Sequence, residues 1–214
     1  MQTIIMFLKV YNNSASLKQV LLVSFIFLSF ASFSQDVKMG IKAGGNIANI
    51  KGDFGNDFES QPKFGIHTGV FFDFKSKKVF SVLWEFNYSQ KGYQSDIIRQ
   101  SKIIHNINYL DVPLLAKFTF EGGTGFHFGP QFSVLLSSRL KQGDRKDYTS
   151  SEGINDGSVS LCFGINQEIG ALIDIGARYN YGLSKVMISK NDLTSPDRVL
   201  QLYVSLGVTP KRKK

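Results

Sequence analysis

The chain has 214 residues, is 43% hydrophobic, has a mean hydropathy of −0.06 and carries a formal charge of +8. That length suits one domain, and a near-zero mean is also what strict alternation of apolar and polar residues gives. One cysteine, Cys162, excludes an intrachain disulfide framework and a multi-cysteine metal site. The closing run KRKK supplies half of the formal charge, which leaves the body of the chain without a broad basic face for nucleic acid.

Residues 1–34 read as an export signal. Lys18 is followed by an apolar run from Val20 to Phe33 and by the small residues Ala31, Ser32 and Ser34. The run is too short to span a bilayer, which takes about 20 residues. We place cleavage between Ser34 and Gln35, with Met1 or Met6 as the initiator. Residues 35–210 then form one barrel domain, and 211–214 form a basic tail.

After Ser34 the chain falls into eight segments that alternate with the period of a β-strand. The first, Val37–Asn49, sets Val37, Met39, Ile41 and Ile47 against Lys38, Lys42 and Asn46. The second, Lys63–Phe74, sets Phe64, Ile66, Val70, Phe72 and Phe74 against His67, Phe71 and Asp73. The third, Val79–Lys91, sets Phe80, Val82, Trp84, Phe86 and Tyr88 against Ser81, Leu83, Glu85, Asn87, Ser89 and Lys91. The fourth, His105–Phe118, carries Leu110, Val112, Leu114, Ala116 and Phe118 on one face. Its other face carries Tyr109, Asp111, Pro113, Leu115 and Lys117.

The remaining four follow suit. Gly125–Ser137 groups Phe126, Phe128, Phe132, Val134 and Leu136. Ser158–Ile169 sets Val159, Leu161, Phe163, Ile165 and Ile169 against Ser160, Gly164, Asn166 and Glu168. Ala171–Gly182 sets Ile173, Ile175, Ala177, Tyr179 and Tyr181 against Asp174, Gly176, Arg178 and Asn180. Arg198–Thr209 sets Leu200, Leu202, Val204, Leu206 and Val208 against Gln201, Ser205 and Gly207. Strands of this length exceed the five or six residues usual in soluble sheets and match tilted membrane strands.

The connections alternate as well. Those after the second, fourth and sixth segments are short. Those after the first, third, fifth and seventh span about 50–62, 92–102, 138–157 and 183–197. Short turns on one rim and long loops on the other are the pattern of an outer-membrane barrel. We therefore expect an all-β fold, an eight-stranded antiparallel up-and-down transmembrane β-barrel preceded by a signal peptide, with its long loops facing outward.

Volume decides which face meets lipid. An eight-stranded barrel has room inside only for side chains, and rows of Phe, Leu and Val would overfill it. The face rich in Gly, Ser and Asn fits, so the bulky face goes to lipid. The 19 Phe and 8 Tyr suit strands and membrane interfaces. Charges left inside must pair. We expect Lys42, Glu85, Asp111, Lys117, Asp174 and Arg178 to form an interior ionic layer, and a bulge to accommodate Pro113, which lacks an N–H.

The stretches LWEFNYSQKGY (Leu83–Tyr93), INYLDVPLLAKF (Ile107–Phe118), FGPQFSVLLS (Phe128–Ser137) and ARYNYGLSKV (Ala177–Val186) resemble the PorT-like outer-membrane β-barrel family of the Bacteroidota. The resemblance spans nearly all of Val37–Val208. It implies an outer-membrane barrel, and its founding member is linked to type IX secretion. The ending LGVTPKRKK departs from the aromatic terminus common in such barrels.

Catalytic and metal readings find little support in the residues. His67, His105 and His127 share the interior parity but fall at heights too different for one metal ion, whose ligands must each lie within about 2 Å. A hydrolase would need a Ser–His pair near the outer rim, for which Ser101 with His105 is the candidate. GGTG at Gly122–Gly125 lacks the Lys-Ser/Thr and the helix of a phosphate loop. Cys162 falls on the interior face, beside Gly164, as a packed thiol.

The expected function is a non-enzymatic outer-membrane barrel with a structural or interaction role. It needs no cofactor or metal, is surrounded by outer-membrane lipid, and offers an envelope protein or a surface polysaccharide its long loops. Arg139, Lys141, Arg145 and Lys146 balance Asp144, Asp147, Glu152 and Asp156 in the third of these loops. The alternatives are an accessory component of type IX secretion and a soluble periplasmic barrel that binds a small apolar ligand. With eight strands, a wide diffusion pore is not expected.

Overall fold

The computed structural model describes residues 36–50, 60–76, 79–97, 100–142, 148–149, 155–184 and 197–209. Residues 1–35, where the export signal is expected, the basic tail, most of the first and fourth long connections and half of the third lie outside them. Eight long strands run through the described residues: β1 (Asp36–Ile50), β2 (Lys63–Lys75), β3 (Phe80–Ile97), β4 (Gln100–Thr119), β5 (Thr124–Gln142), β6 (Gly157–Ile169), β7 (Ile173–Gly182) and β8 (Asp197–Val208). Each pairs antiparallel with the next, and β1 pairs with β8, so the sheet closes as an up-and-down barrel. Closure removes the free edges that a hydrocarbon surrounding could not hydrogen-bond.

The register fixes the size of the cylinder. Stepping across the ladders from Arg198 leads to Tyr181, Leu161 and Pro130, then to Leu114, which the register from Pro113↔Gln131 to Ala116↔Phe128 sets opposite Pro130, and on to Trp84, Phe72, Met39 and Val208. One circuit thus lands ten residues further along β8. With a strand spacing of about 4.7 Å and a rise of about 3.3 Å per residue, that offset gives a tilt of about 41° and a backbone radius of about 8 Å. Each residue then climbs about 2.5 Å, and Arg198 stands about 25 Å above Val208. That height matches the apolar band of a membrane barrel.

Alternation sorts the side chains as volume requires. The outward rows include Ile41, Phe64, Ile66, Val70, Phe126, Phe128, Phe163, Ile165, Leu202 and Val204, all exposed. The inward rows hold Lys42, His67, Asp73, Glu85, Asp111, Lys117, His127 and Arg178, each less than 5% exposed. Low on the outer wall, Phe80, Phe118, Phe126 and Phe128 form a chain of ring contacts at 5.0–6.5 Å. At the same end the β4–β5 turn needs Gly122 and Gly123, whose φ values of 94° and 85° lie in the left-handed region.

Two features of the wall depart from expectation. Pro113 sits in no bulge. It stays in register with Gln131, and the ladder to β3 merely lapses between Trp84↔Leu114 and Asn87↔Asp111 before resuming unshifted. That ladder is lost over Val112 and Pro113 alone, and the register on either side holds the strand in place. The bulge lies higher, where Asn108 pairs with Ser137 but Tyr109 pairs with Leu135, so Leu136 is the extra residue. Beyond it the facing of β5 reverses, and Ser138 rather than Ser137 is buried.

The second long connection is strand, not loop. β3 runs to Ile97 and β4 starts at Gln100, so the expected loop over 92–102 shrinks to a hairpin tip. The segment QSDIIRQSKIIHNI is polar enough to read as a loop, but it has no Gly or Pro and is rich in Ile, which favours continued pairing. β5 likewise continues past Ser138 to Gln142. β3, β4 and β5 therefore form a wall that rises about 15 Å above the outer ends of the other strands. Both of its edges are partly covered. Ser60–Gln61 pairs with β3, and Tyr148–Thr149 pairs with β5.

Candidate functional site

Charged side chains on the inward rows meet in three tiers rather than one layer. The middle tier centres on Glu85 of β3. Arg178 of β7, on the opposite side of the ring, donates to both carboxylate oxygens at 2.7 Å. Lys42 of β1 donates to both at 3.1 Å, and Asn87 adds a bond of 2.8 Å. The Lys42 ammonium also lies 3.7 Å from the centre of the Tyr203 ring, and Arg178 Nε donates to His127 Nε2 at 3.1 Å. One carboxylate thus serves two cations, and a π face takes up part of the remaining charge.

The lower tier inverts that stoichiometry. Lys117 of β4 donates to Glu168 at 2.8 Å, Asp174 at 3.0 Å and Asp73 at 3.4 Å. Asn166 also donates to Asp174, at 3.2 Å. This tier lies about 8 Å below the middle one, near the short-turn rim, and Glu168 is partly exposed. The upper tier is built on Lys91 and Asp111. Lys91 bonds Asp111 at 3.1 Å, and Ser133 donates to the same carboxylate at 2.6 Å.

The six residues expected in one layer are thereby divided. Lys42, Glu85 and Arg178 come together, Lys117 and Asp174 come together lower down, and Asp111 belongs to Lys91. Reading the sequence missed Lys91, Asp73 and Glu168 as partners, although all three stood on the inward parity of their strands. It also missed an apolar layer among the charges, made by Phe71, Leu83, Leu115 and Cys162. Leu83 and Leu115 are paired residues of β3 and β4 and sit just below Glu85.

Small residues let the large inward rings fit. A β-carbon on Gly164 would lie 2.3 Å from His127 Nε2, and one on Gly176 would lie 2.5 Å from the Tyr203 ring. In both cases the glycine pairs directly with the aromatic residue on the neighbouring strand. Little space is left between the middle and lower tiers in consequence. Between the middle and lower tiers there is a cavity of about 10 Å³, lined by groups that include Lys42, Phe71, Asp73, Lys117 and Tyr203. That is room for about one water molecule. A larger concavity of about 600 Å³ lies against the apolar outer wall, at Ala43, Ile165, Ile175, Ala177, Leu202 and Val204.

The three histidines stand apart. By strand register, His67 lies about 11 Å above His127, and His105 about 16 Å above His67. His67 Nδ1 meets Asn46 Oδ1 at 2.7 Å. Among the described residues no group of three His, Cys, Asp or Glu is arranged to hold a metal ion. His105 shares a hydrogen bond of 2.7 Å with Ser138, and both are buried; the side chain of Ser101 lies outside the described ones. Cys162 is fully buried and donates to Gln131 Oε1 at 3.5 Å.

This geometry, polar inside and apolar outside, is that of a membrane barrel and the reverse of a soluble barrel with an apolar cavity. A family model described as outer membrane protein beta-barrel domain matches residues 32–187. The chain belongs to that family. Its outward rows therefore face outer-membrane lipid.

Among solved structures, the chain is similar to Ail, the attachment invasion locus protein of Yersinia pestis, in complex with the heparin analogue sucrose octasulfate. The two are 14% identical over 81% of this chain and 100% of that one, with a TM-score of 0.49. It is similar to Neisserial surface protein A at 14% identity over 78% and 96%, with a TM-score of 0.46. It is similar to OprG from Pseudomonas aeruginosa at 11% identity over 84% and 97%, with a TM-score of 0.41. No curated protein matches the chain.

Proposed function

We propose that this outer-membrane barrel is non-enzymatic and acts by contact at its outer rim, through the β3–β5 wall and the connections beside it. The observation that carries this reading is the braced bore. Ion pairs cross it at two heights, a third pair joins the neighbouring strands β3 and β4 above them, and the space left between the middle and lower tiers is no larger than a water molecule. Transport of solutes needs an open lumen and an enzyme needs an accessible nucleophile, whereas the Ser138–His105 pair is buried. The wall, by contrast, extends beyond the membrane with its edges partly paired, a shape suited to holding a protein or polysaccharide partner. On this reading the short turns face the periplasm and 1–34 is removed on export.

The test is crosslinking in intact envelopes, with recovery of the full chain and its partners, beside a variant in which 93–104 is replaced by a two-residue turn. We expect the crosslinked partner to disappear from the shortened barrel while heat-modifiable gel mobility persists. Steady large conductance in planar bilayers would contradict the reading, as would labelling of Ser138 by a fluorophosphonate. The PorT-like segments, Leu83–Tyr93 and Ile107–Phe118 above all, favour a second reading in which the partner belongs to type IX secretion. Recovery of secretion-machine components in the same crosslinks would distinguish it.

A further inference from the structure

The lipid-facing row of β8 runs Val208, Leu206, Val204, Leu202 and Leu200, all exposed, and its next member is Arg198. Arg198 thus carries an arginine's positive charge on the outer wall about 25 Å above Val208, where hydrocarbon gives way to headgroups. It is not a bore residue, and the ionic tiers do not use it. Its guanidinium carbon lies 5.6 Å from the centre of the Tyr181 ring, on the paired position of β7. The ring belongs to the same outward surface and is 39% exposed. Among the described residues Arg198 makes no ion pair, and its buried Nε has no hydrogen-bond partner.

An arginine stacked on an aromatic face has lost much of its side-chain freedom, and its remaining N–H groups form a fork that matches a phosphate. Lipid chains supply no counter-ion at this height, whereas a lipid headgroup does. We infer that Arg198, held on Tyr181, binds the phosphate of an outer-leaflet lipid and fixes the barrel against that headgroup. The inference rests on the long-loop rim facing outward. The source is a membrane lipid rather than free phosphate because the cation continues a row of lipid-facing side chains.

The full chain, purified from outer membranes in detergent, is exchanged into micelles containing lipid A with both phosphates, dephosphorylated lipid A, or phosphatidylglycerol. Native mass spectrometry then counts the lipid retained. One surface cation near a headgroup supports a preference of about fivefold for phosphorylated over dephosphorylated lipid A. R198A is expected to abolish that preference. R139A, which removes an exposed arginine from the wall, is expected to leave it intact. Y181L keeps the charge but removes the platform, so about half of the preference should remain, and it serves as the test if R198A loses heat-modifiable mobility.

The inference fails if the wild-type chain shows no preference, or if a folded R198A retains it. Displacement of the lipid by millimolar inorganic phosphate would assign the site to the free ion and overturn the lipid source. Stronger retention of phosphatidylglycerol than of lipid A would place the rim in the inner leaflet, which overturns the outward orientation while leaving the rim interaction through the wall to its own crosslinking test.

Discussion

The middle and lower tiers are the same device with opposite sign. In the middle one, the Glu85 carboxylate is shared by Lys42 and Arg178; in the lower one, the Lys117 ammonium is shared by Asp73, Glu168 and Asp174. Each depends on a single hub, but their surroundings differ. Glu85 sits about 12 Å above the short-turn rim, over the Phe71, Leu83 and Leu115 layer. Lys117 lies near the rim, with the Glu168 side chain 15% exposed. Removing a hub leaves like charges facing each other, and the cost depends on how readily water reaches them. Depth, more than the number of partners, should therefore rank the tiers.

Glu85→Gln is expected to have the largest effect. It leaves two buried cations with one neutral amide, and a loss of about 3–5 kcal/mol is expected. Urea unfolding from lipid vesicles, followed by Trp84 fluorescence, measures it. Lys117→Met should cost about 2 kcal/mol, since solvent at the rim moderates repulsion among its carboxylates. An equal or larger loss for Lys117→Met would mean that partner number outweighs depth.

Asp111→Asn tests the upper tier, where one charged partner and Ser133 are affected, and about 1 kcal/mol is expected in the same assay. The smallest change is expected from replacing the whole middle tier. Lys42→Met, Glu85→Leu and Arg178→Met together remove every charge at that height. Such a barrel should unfold within about 1 kcal/mol of the wild type, because well-packed apolar groups can replace a buried ion network without net loss. A loss as large as that of Glu85→Gln alone would show that the ions themselves, and not their mutual compensation, stabilise the bore.

Most of the barrel was legible in the sequence because period-two alternation is strong wherever one face meets lipid. The eight segments, their parity and their closure all follow from rows such as Leu200–Val208 and Phe80–Tyr88. The wall was not legible. Beyond the membrane neither face needs to be apolar, so alternation fades in QSDIIRQSKIIHNI while pairing continues. The inward charges were legible as a set but not as pairs. Partners depend on shear, which is a property of the closed ring: Arg178 reaches Glu85 across the bore, while Asp111 lies too high for either and bonds Lys91. Pro113 needs no bulge for its missing N–H, because the unshifted register around it tolerates a short lapse in the ladder.

All of this stands on the apolar rows facing hydrocarbon, and the chain carries its own reporter. Trp84, its single tryptophan, points outward about 3 Å below the middle of the band and packs against Phe86 with ring centres 4.7 Å apart. Quenching by lipids brominated at successive depths along the acyl chain reads its position directly. The account expects blue-shifted emission, quenched most strongly by bromines near the bilayer centre. Emission typical of water, with no quenching at any depth, would contradict it.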